Sequence, residues 1–265
     1  MGVPCSYERK DSVQLLVVEA VVAKTPRQGS TIESPDSAFQ ATRVLAPYLL
    51  AERESMPKKL VKLFNYHIDH PGSPHLQLKF FTMQDSDWRH FSVLVNTCKL
   101  AKQLVVWKTG LSFKGFRTIC RTIATLSQLE LLTLEDIGLG HHRVVDLAKE
   151  LGMLTGLRTI SLAVNDLGPE EIEVLAPALG QIRALQEVNL DENNVGDKGC
   201  VLLCKALEQL DSLTFLSLRY NSISHIGFHH LISLGLLHTA LQVFAEGNEI
   251  EERELDQLTS LCSNL

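Results

Sequence analysis

The chain repeats itself every 28 residues, and that period limits the available folds more than any other feature of the sequence. Stretches of matching pattern begin at Leu129, Leu157, Leu185 and Leu213. The second apolar column is Leu132, Ile160, Val188 and Leu216; the third is Leu134, Leu162, Leu190 and Leu218; the fifth is Leu139, Leu167, Val195 and Ile223. The same interval backward reaches Ala101, Leu104, Val106, Thr109 and Leu111, then Ser73, Leu76, Leu78, Phe81 and Met83. Forward, a one-residue slip gives Ala240, Val243, Ala245, Asn248 and Ile250. A period of this length signals a solenoid, here of about seven repeats.

Between these stretches, apolar residues recur at helical spacing: Val144, Leu147 and Leu151; Ile172, Leu175 and Leu179; Cys200, Leu203 and Leu207. Matching triples occur at Trp88, Phe91 and Val95, at Phe116, Ile119 and Ile123, at Phe228, Leu231 and Leu234, and at Leu255, Leu258 and Leu261. Each unit therefore reads as one short strand and one helix. Neither can bury its apolar face alone, so successive units must stack around a shared core.

The fourth column is polar. Asn165, Asn193, Asn221 and Asn248 stand where the chain leaves each strand and turns inside the stack. Backbone groups there have lost water, and each costs about 1 to 3 kcal/mol if unpaired. An amide carries both donors and acceptors and can serve turns in its own and adjacent units, which leucine cannot. These asparagines are expected to be structural rather than catalytic.

The LxxLxLxxNxL pattern at this spacing resembles the ribonuclease-inhibitor type of leucine-rich repeat, over about residues 73–262. The resemblance implies an α/β horseshoe solenoid with a parallel concave sheet and convex helices. Similar repeats form the carboxy-terminal sensing and autoinhibitory module of animal NOD-like receptors. The chain departs from the pattern at Phe81, Thr109 and Ile137, which occupy the Asn column, so the amide ladder is not expected to extend through the first three units.

Residues 1–72 lack the repeat and read as an amino-terminal helical cap, with 73–265 as the repeat domain. Residues 34–54 have helical character, and Leu60 and Leu63 fall in register with the later helices, as in a degenerate repeat over 57–67. The Pro-, Gly- and Ser-rich segment 25–37 reads as a loop. Met1–Ser6 fits the pattern for acylation at Gly2, with Cys5 as a second position, but so short a pattern often arises by chance.

The formal charge of −6 argues against a nucleic-acid footprint. Residues 13–23, the most apolar early stretch, are too short to span a bilayer and contain Glu19. No phosphate-binding loop is present: after Gly110–Gly115 come Phe116 and Arg117 where Lys and Ser or Thr are needed. Asp191–Gly199 superficially resembles a calcium loop, but Val195 and Leu202 stand at ligand positions. Histidines cluster at His67 and His70, His141 and His142, and His225, His229 and His230, without Cys or carboxylate partners at tight spacing in sequence. No metal or cofactor is therefore expected. The six cysteines do not suggest a disulfide framework. Cys120 and Cys204 share a column with Ala148 and Ala176, as small buried hydrophobes would, which points to a reducing compartment, cytosol or nucleus, with a cytoplasmic location expected.

Function is expected where the repeat leaves residues free to vary. Concave positions after the third apolar column read Lys79, Trp107, Glu135, Ala163, Asp191, Arg219 and Glu246, and their neighbours Phe80, Lys108, Asp136, Val164, Glu192, Tyr220 and Gly247. This makes an acidic middle flanked by Trp107 and Lys108 on one side and by Phe215, Arg219 and Tyr220 on the other; Trp, Tyr and Arg dominate interface hot spots. The expected partner-binding residues are Trp107, Lys108, Glu135, Asp136, Asp191, Glu192, Phe215, Arg219 and Tyr220. They describe a non-enzymatic module that takes a protein partner of basic or mixed surface on the concave face. A second reading, regulation of an enzyme as an inhibitor or a GTPase activator, would rest on Arg219 and Asn194.

Overall fold

The computed structural model describes residues 35–256, with side chains from residue 42. The acylation pattern at Gly2 and Cys5, residues 25–34 of the expected loop, and Leu258 and Leu261 lie outside the described residues. Residues 35–37, expected to close that loop, instead begin a helix. The repeats belong to a compact unit that begins at Asp36.

Two helices come first, α1 (Pro35–Glu52) and α2 (Lys58–Asp69), joined by a short 3-10 turn at Arg53–Ser55. Strand and helix then alternate: β1 (His75–Lys79), α3 (Trp88–Thr97), β2 (Gln103–Trp107), α4 (Phe113–Ile123), β3 (Leu131–Glu135) and α5 (His141–Leu151). The remaining elements are β4 (Thr159–Ser161), α6 (Pro169–Leu179), β5 (Glu187–Asn189), α7 (Gly196–Leu207), β6 (Phe215–Ser217), α8 (His225–Leu237) and β7 (Gln242–Phe244).

All seven strands form one parallel sheet in chain order, which is an α/β solenoid of leucine-rich-repeat type. Parallel neighbours need a long crossover, and each helix supplies it. Pairing steps by 28 residues from Leu76↔Leu104 through Val188↔Leu216, then by 27 at Leu216↔Val243, where the sequence slips. Leu162, Leu190 and Leu218 are 1%, 0% and 0% exposed and share one continuous core with the helical triples. Each such side chain stabilises the stack by about 2 kcal/mol through apolar burial.

The asparagines bond as a ladder between repeats. Asn165 donates to the carbonyls of Leu134, Leu162 and Ala163 and accepts from the N–H groups of Ile137 and Leu139. Asn193 repeats this one unit later, donating to Leu162, Leu190 and Asp191 and accepting from Asn165 and Leu167. Asn221 and Asn248 continue it. Where Asn is missing, other groups take over. Thr109 donates its hydroxyl to Leu78 and Trp107, and the Arg143 guanidinium donates to the carbonyls of Ile137, Gly138 and Leu111.

A second backbone column was not apparent from residue types. Phe80, Lys108, Asp136, Val164, Glu192, Tyr220 and Gly247 all have φ between 46° and 76°. Each of the first six donates its N–H to the next repeat, as Val164 does to Asp191 at 2.9 Å and Glu192 to Arg219 at 2.8 Å. Left-handed backbone aims these donors across the stack, although L-residues other than Asn and Asp adopt it at a cost.

Helices α1 and α2 belong to the same compact unit as the repeats. Leu45, Leu49, Leu60 and Phe64 join the shared core. Tyr48 stacks on Phe64 and bonds His90 of α3 at 2.9 Å, and Lys59 donates to the carbonyl of Phe80. Two helical layers thereby cover core surface that the first strand and its helix cannot bury.

Candidate protein-binding face

The strands present alternate side chains on the sheet face opposite the helices. Its floor is close-packed and mostly small: Val105, Thr133, Ser161, Ala163 and Ser217 are all buried. Larger side chains rise around it, and the register fixes which of them meet.

At the amino-terminal end, Phe80 and Trp107 lie with ring centroids 4.7 Å apart, and the Lys108 ammonium sits 5.3 Å from the Trp107 ring and 6.0 Å from Phe80. Phe80 remains 54% exposed, and the Trp107 indole N–H has no partner among the described residues. This is an aromatic pair with a cation over it, open on one side.

The acidic middle divides into two kinds of carboxylate. Glu135 is only 5% exposed and accepts from the Ser161 hydroxyl on the next strand. Asp191 repeats that arrangement two units later, accepting from Ser217 at 2.5 Å and from the Arg219 N–H at 2.9 Å. Burial pushes both carboxyls above their ordinary range; hydrogen bonds from Ser161 and Ser217 oppose the rise without cancelling it. On the same strip Glu192 and Glu246 are exposed and Asp136 and Glu187 half-buried; Glu187 accepts from the Thr159 hydroxyl and Glu246 from Arg219.

At the carboxy-terminal end, Arg219 lies 4.6 Å from the Phe244 ring centroid, donates to Glu246 at 2.7 Å and stands 3.9 Å from Asp191. Phe215 packs on Phe244 at 5.1 Å. Tyr220 is 52% exposed, with its ring over Gly247. A Cβ at Gly247 would fall 2.3 Å from the Tyr220 Cδ1, so the glycine makes room for the ring as well as supplying φ of +76°.

The residues expected from sequence thus fall into three groups on one face. Trp107 and Lys108 join Phe80; Phe215 and Arg219 gather with Phe244, with Tyr220 over Gly247 at the same end; Asp136 and Glu192 lie between. Glu135 and Asp191 are held in the floor by hydrogen bonds from Ser161, Ser217 and the Arg219 N–H. Sequence reading did not single out Phe80, Phe244 or Glu246 as site residues, although each occupies the columns that vary.

Away from this face, His67 is buried, and desolvation together with the neighbouring His70 lowers it to about 4. His142, His225 and His229 are exposed, whereas the fold brings His141 to within 3.4 Å of Glu171. Cys98, Cys120, Cys200 and Cys204 are free, and burial pushes Cys98 and Cys120 up to about 12, which disfavours their thiolate forms. Among the described residues, no helix is long and apolar enough to cross a membrane.

The sequence matches no protein-family model and no curated protein. Among solved structures the chain is similar to Leiomodin-1 Actin-Binding Site 2 (ABS2), at 19% identity and a TM-score of 0.44, covering 58% of this chain and 88% of that one. The leucine-rich-repeat architecture follows from the strand register and the amide ladder themselves.

Proposed function

We propose that this protein is a binding module, without catalysis of its own, that holds a protein partner of basic surface on the helix-free face of its sheet. The observation that carries the reading is the arrangement on that face: carboxylates at Asp136, Glu192 and Glu246, with the Phe80–Trp107 pair at one end and the Phe215–Phe244 pair and the exposed Tyr220 at the other. Buried columns repeat one chemistry along the stack, whereas these columns differ from unit to unit. Covering the exposed half of Tyr220 would release about 2 kcal/mol, enough for the aromatic ends to anchor a partner that the acidic strip orients. The resemblance of the 28-residue pattern to NOD-like receptor repeats supports a place in innate-immune regulation, and the free buried thiols suit the cytoplasm.

Charge reversal at Asp136 and Glu192, combined with Trp107→Ala and Tyr220→Ala, tests this directly. Partners captured from cytosol and identified by mass spectrometry should be lost from the variant while it keeps the wild-type far-ultraviolet circular dichroism and a cooperative thermal transition. Retention of the same partners at the same salt resistance by a folded variant refutes the assignment to this face.

A further inference from the structure

His141 opens α5 in the third repeat, and Glu170 and Glu171 lie in the first turn of α6 in the fourth. They are distant in sequence, but the stacking register superposes the two turns. One ligand atom from each side chain lies within 4.8 Å of the other two. His141 Nδ1 is 3.4 Å from one oxygen of Glu171, whose other oxygen accepts from the Gly168 N–H at 2.9 Å. Glu170 makes no hydrogen bond or ion pair among the described residues. The nearby Lys198 ammonium is taken by Glu173 at 2.9 Å.

We propose that His141, Glu170 and Glu171 form a site for a divalent transition-metal cation of the zinc class, bridging the third and fourth repeats. Ligands about 2.0 to 2.2 Å from such an ion stand roughly 3 to 4 Å from one another, so the three donors need to close by only about 1 Å. His141 and Glu170 are exposed and can supply that by rotamer adjustment. An imidazole with two carboxylates selects zinc-class ions over magnesium and calcium, which take oxygen ligands. The Gly168 N–H fixes Glu171 through one oxygen and leaves the other facing His141, the kind of outer support that orients a metal ligand.

The positive ends of α5 and α6 oppose a cation here, but that field is fractional and fades within a turn, while the glutamates bring two full negative charges. Three protein ligands leave a position open to water or to a donor from a partner.

The test is calorimetric titration of the chelator-treated full-length protein with zinc chloride, and separately with magnesium and calcium chloride. Saturable binding of a single Zn2+ is expected, weakened by about tenfold or more in His141→Ala and in Glu170→Gln. Both variants should unfold at the wild-type temperature in chelator, because neither side chain is buried, and Zn2+ should raise the unfolding temperature of the wild type but not of His141→Ala. Three outcomes overturn the proposal: no saturable zinc binding, isotherms of both variants that superpose on the wild type, as thiols or other histidines would give, or calcium binding as tight as zinc.

Discussion

The side-chain amide of Asn193 donates to the carbonyl of Leu162 at 3.1 Å, across the boundary between two repeats. Its oxygen accepts from the N–H groups of Asn165 and Leu167, each at 3.0 Å, so one side chain serves the turns of two units. Replacement by leucine keeps the volume and strands these donors and acceptors away from water. At about 1 to 3 kcal/mol for each unsatisfied group, Asn193→Leu should lower stability by on the order of 4 kcal/mol in a denaturant titration. A loss below about 1 kcal/mol would show that water or backbone adjustment does the ladder's work.

Val164 carries φ of +59°, a conformation in which a β-branched residue is strained. Its N–H bonds Asp191 at 2.9 Å and holds the turn there. Asn in the same position adopts this conformation readily, so Val164→Asn should raise stability by about 1 kcal/mol. A rise in the unfolding midpoint with unchanged denaturant sensitivity is the expected reading; an unchanged or lower midpoint would mean that Val164 makes packing contacts worth more than its strain.

Burial of Glu135 gives the stability of the fold a pH dependence whose sign can be worked out. Burial raises its carboxyl above the ordinary range, and the fields of Asp191 and Glu192 add to this, while the Ser161 hydrogen bond and Lys79 work against it. A carboxyl raised in the folded state favours folding most when protonated in both states. That contribution disappears as pH rises from the unfolded value through the folded one. Glu135→Gln keeps an acceptor for Ser161 without the charge, so it should be the more stable protein at about pH 7 and indistinguishable from wild type at about pH 4 or below. Equal unfolding temperatures at both pH values would place the Glu135 carboxylate in a well-solvated setting.

Strands, helices and their order were legible because the apolar columns carry two different spacings at a constant interval. Even the one-residue slip before Ala240 reappears as the 27-residue step between β6 and β7. The roles of Asn165, Asn193, Asn221 and Asn248 followed from the same reasoning about turns that lose water. The left-handed column was hidden because only Asp136 and Gly247 have residue types that favour it; at Phe80, Val164 and Tyr220 the repeat imposes the backbone on side chains that resist it.

By itself, the sequence determined that repeated strand and helix units stack in register and which columns they bury, since apolar periodicity is a local property of the chain. Only tertiary structure decided what the varying residues meet. Glu135 sinks beneath Ser161, Arg219 is held between Phe244 and Glu246, and His141 comes beside Glu171. These neighbours lie a full repeat apart in the chain, and side-chain reach, hydroxyl geometry and desolvation act only once stacking has brought them within a few ångströms.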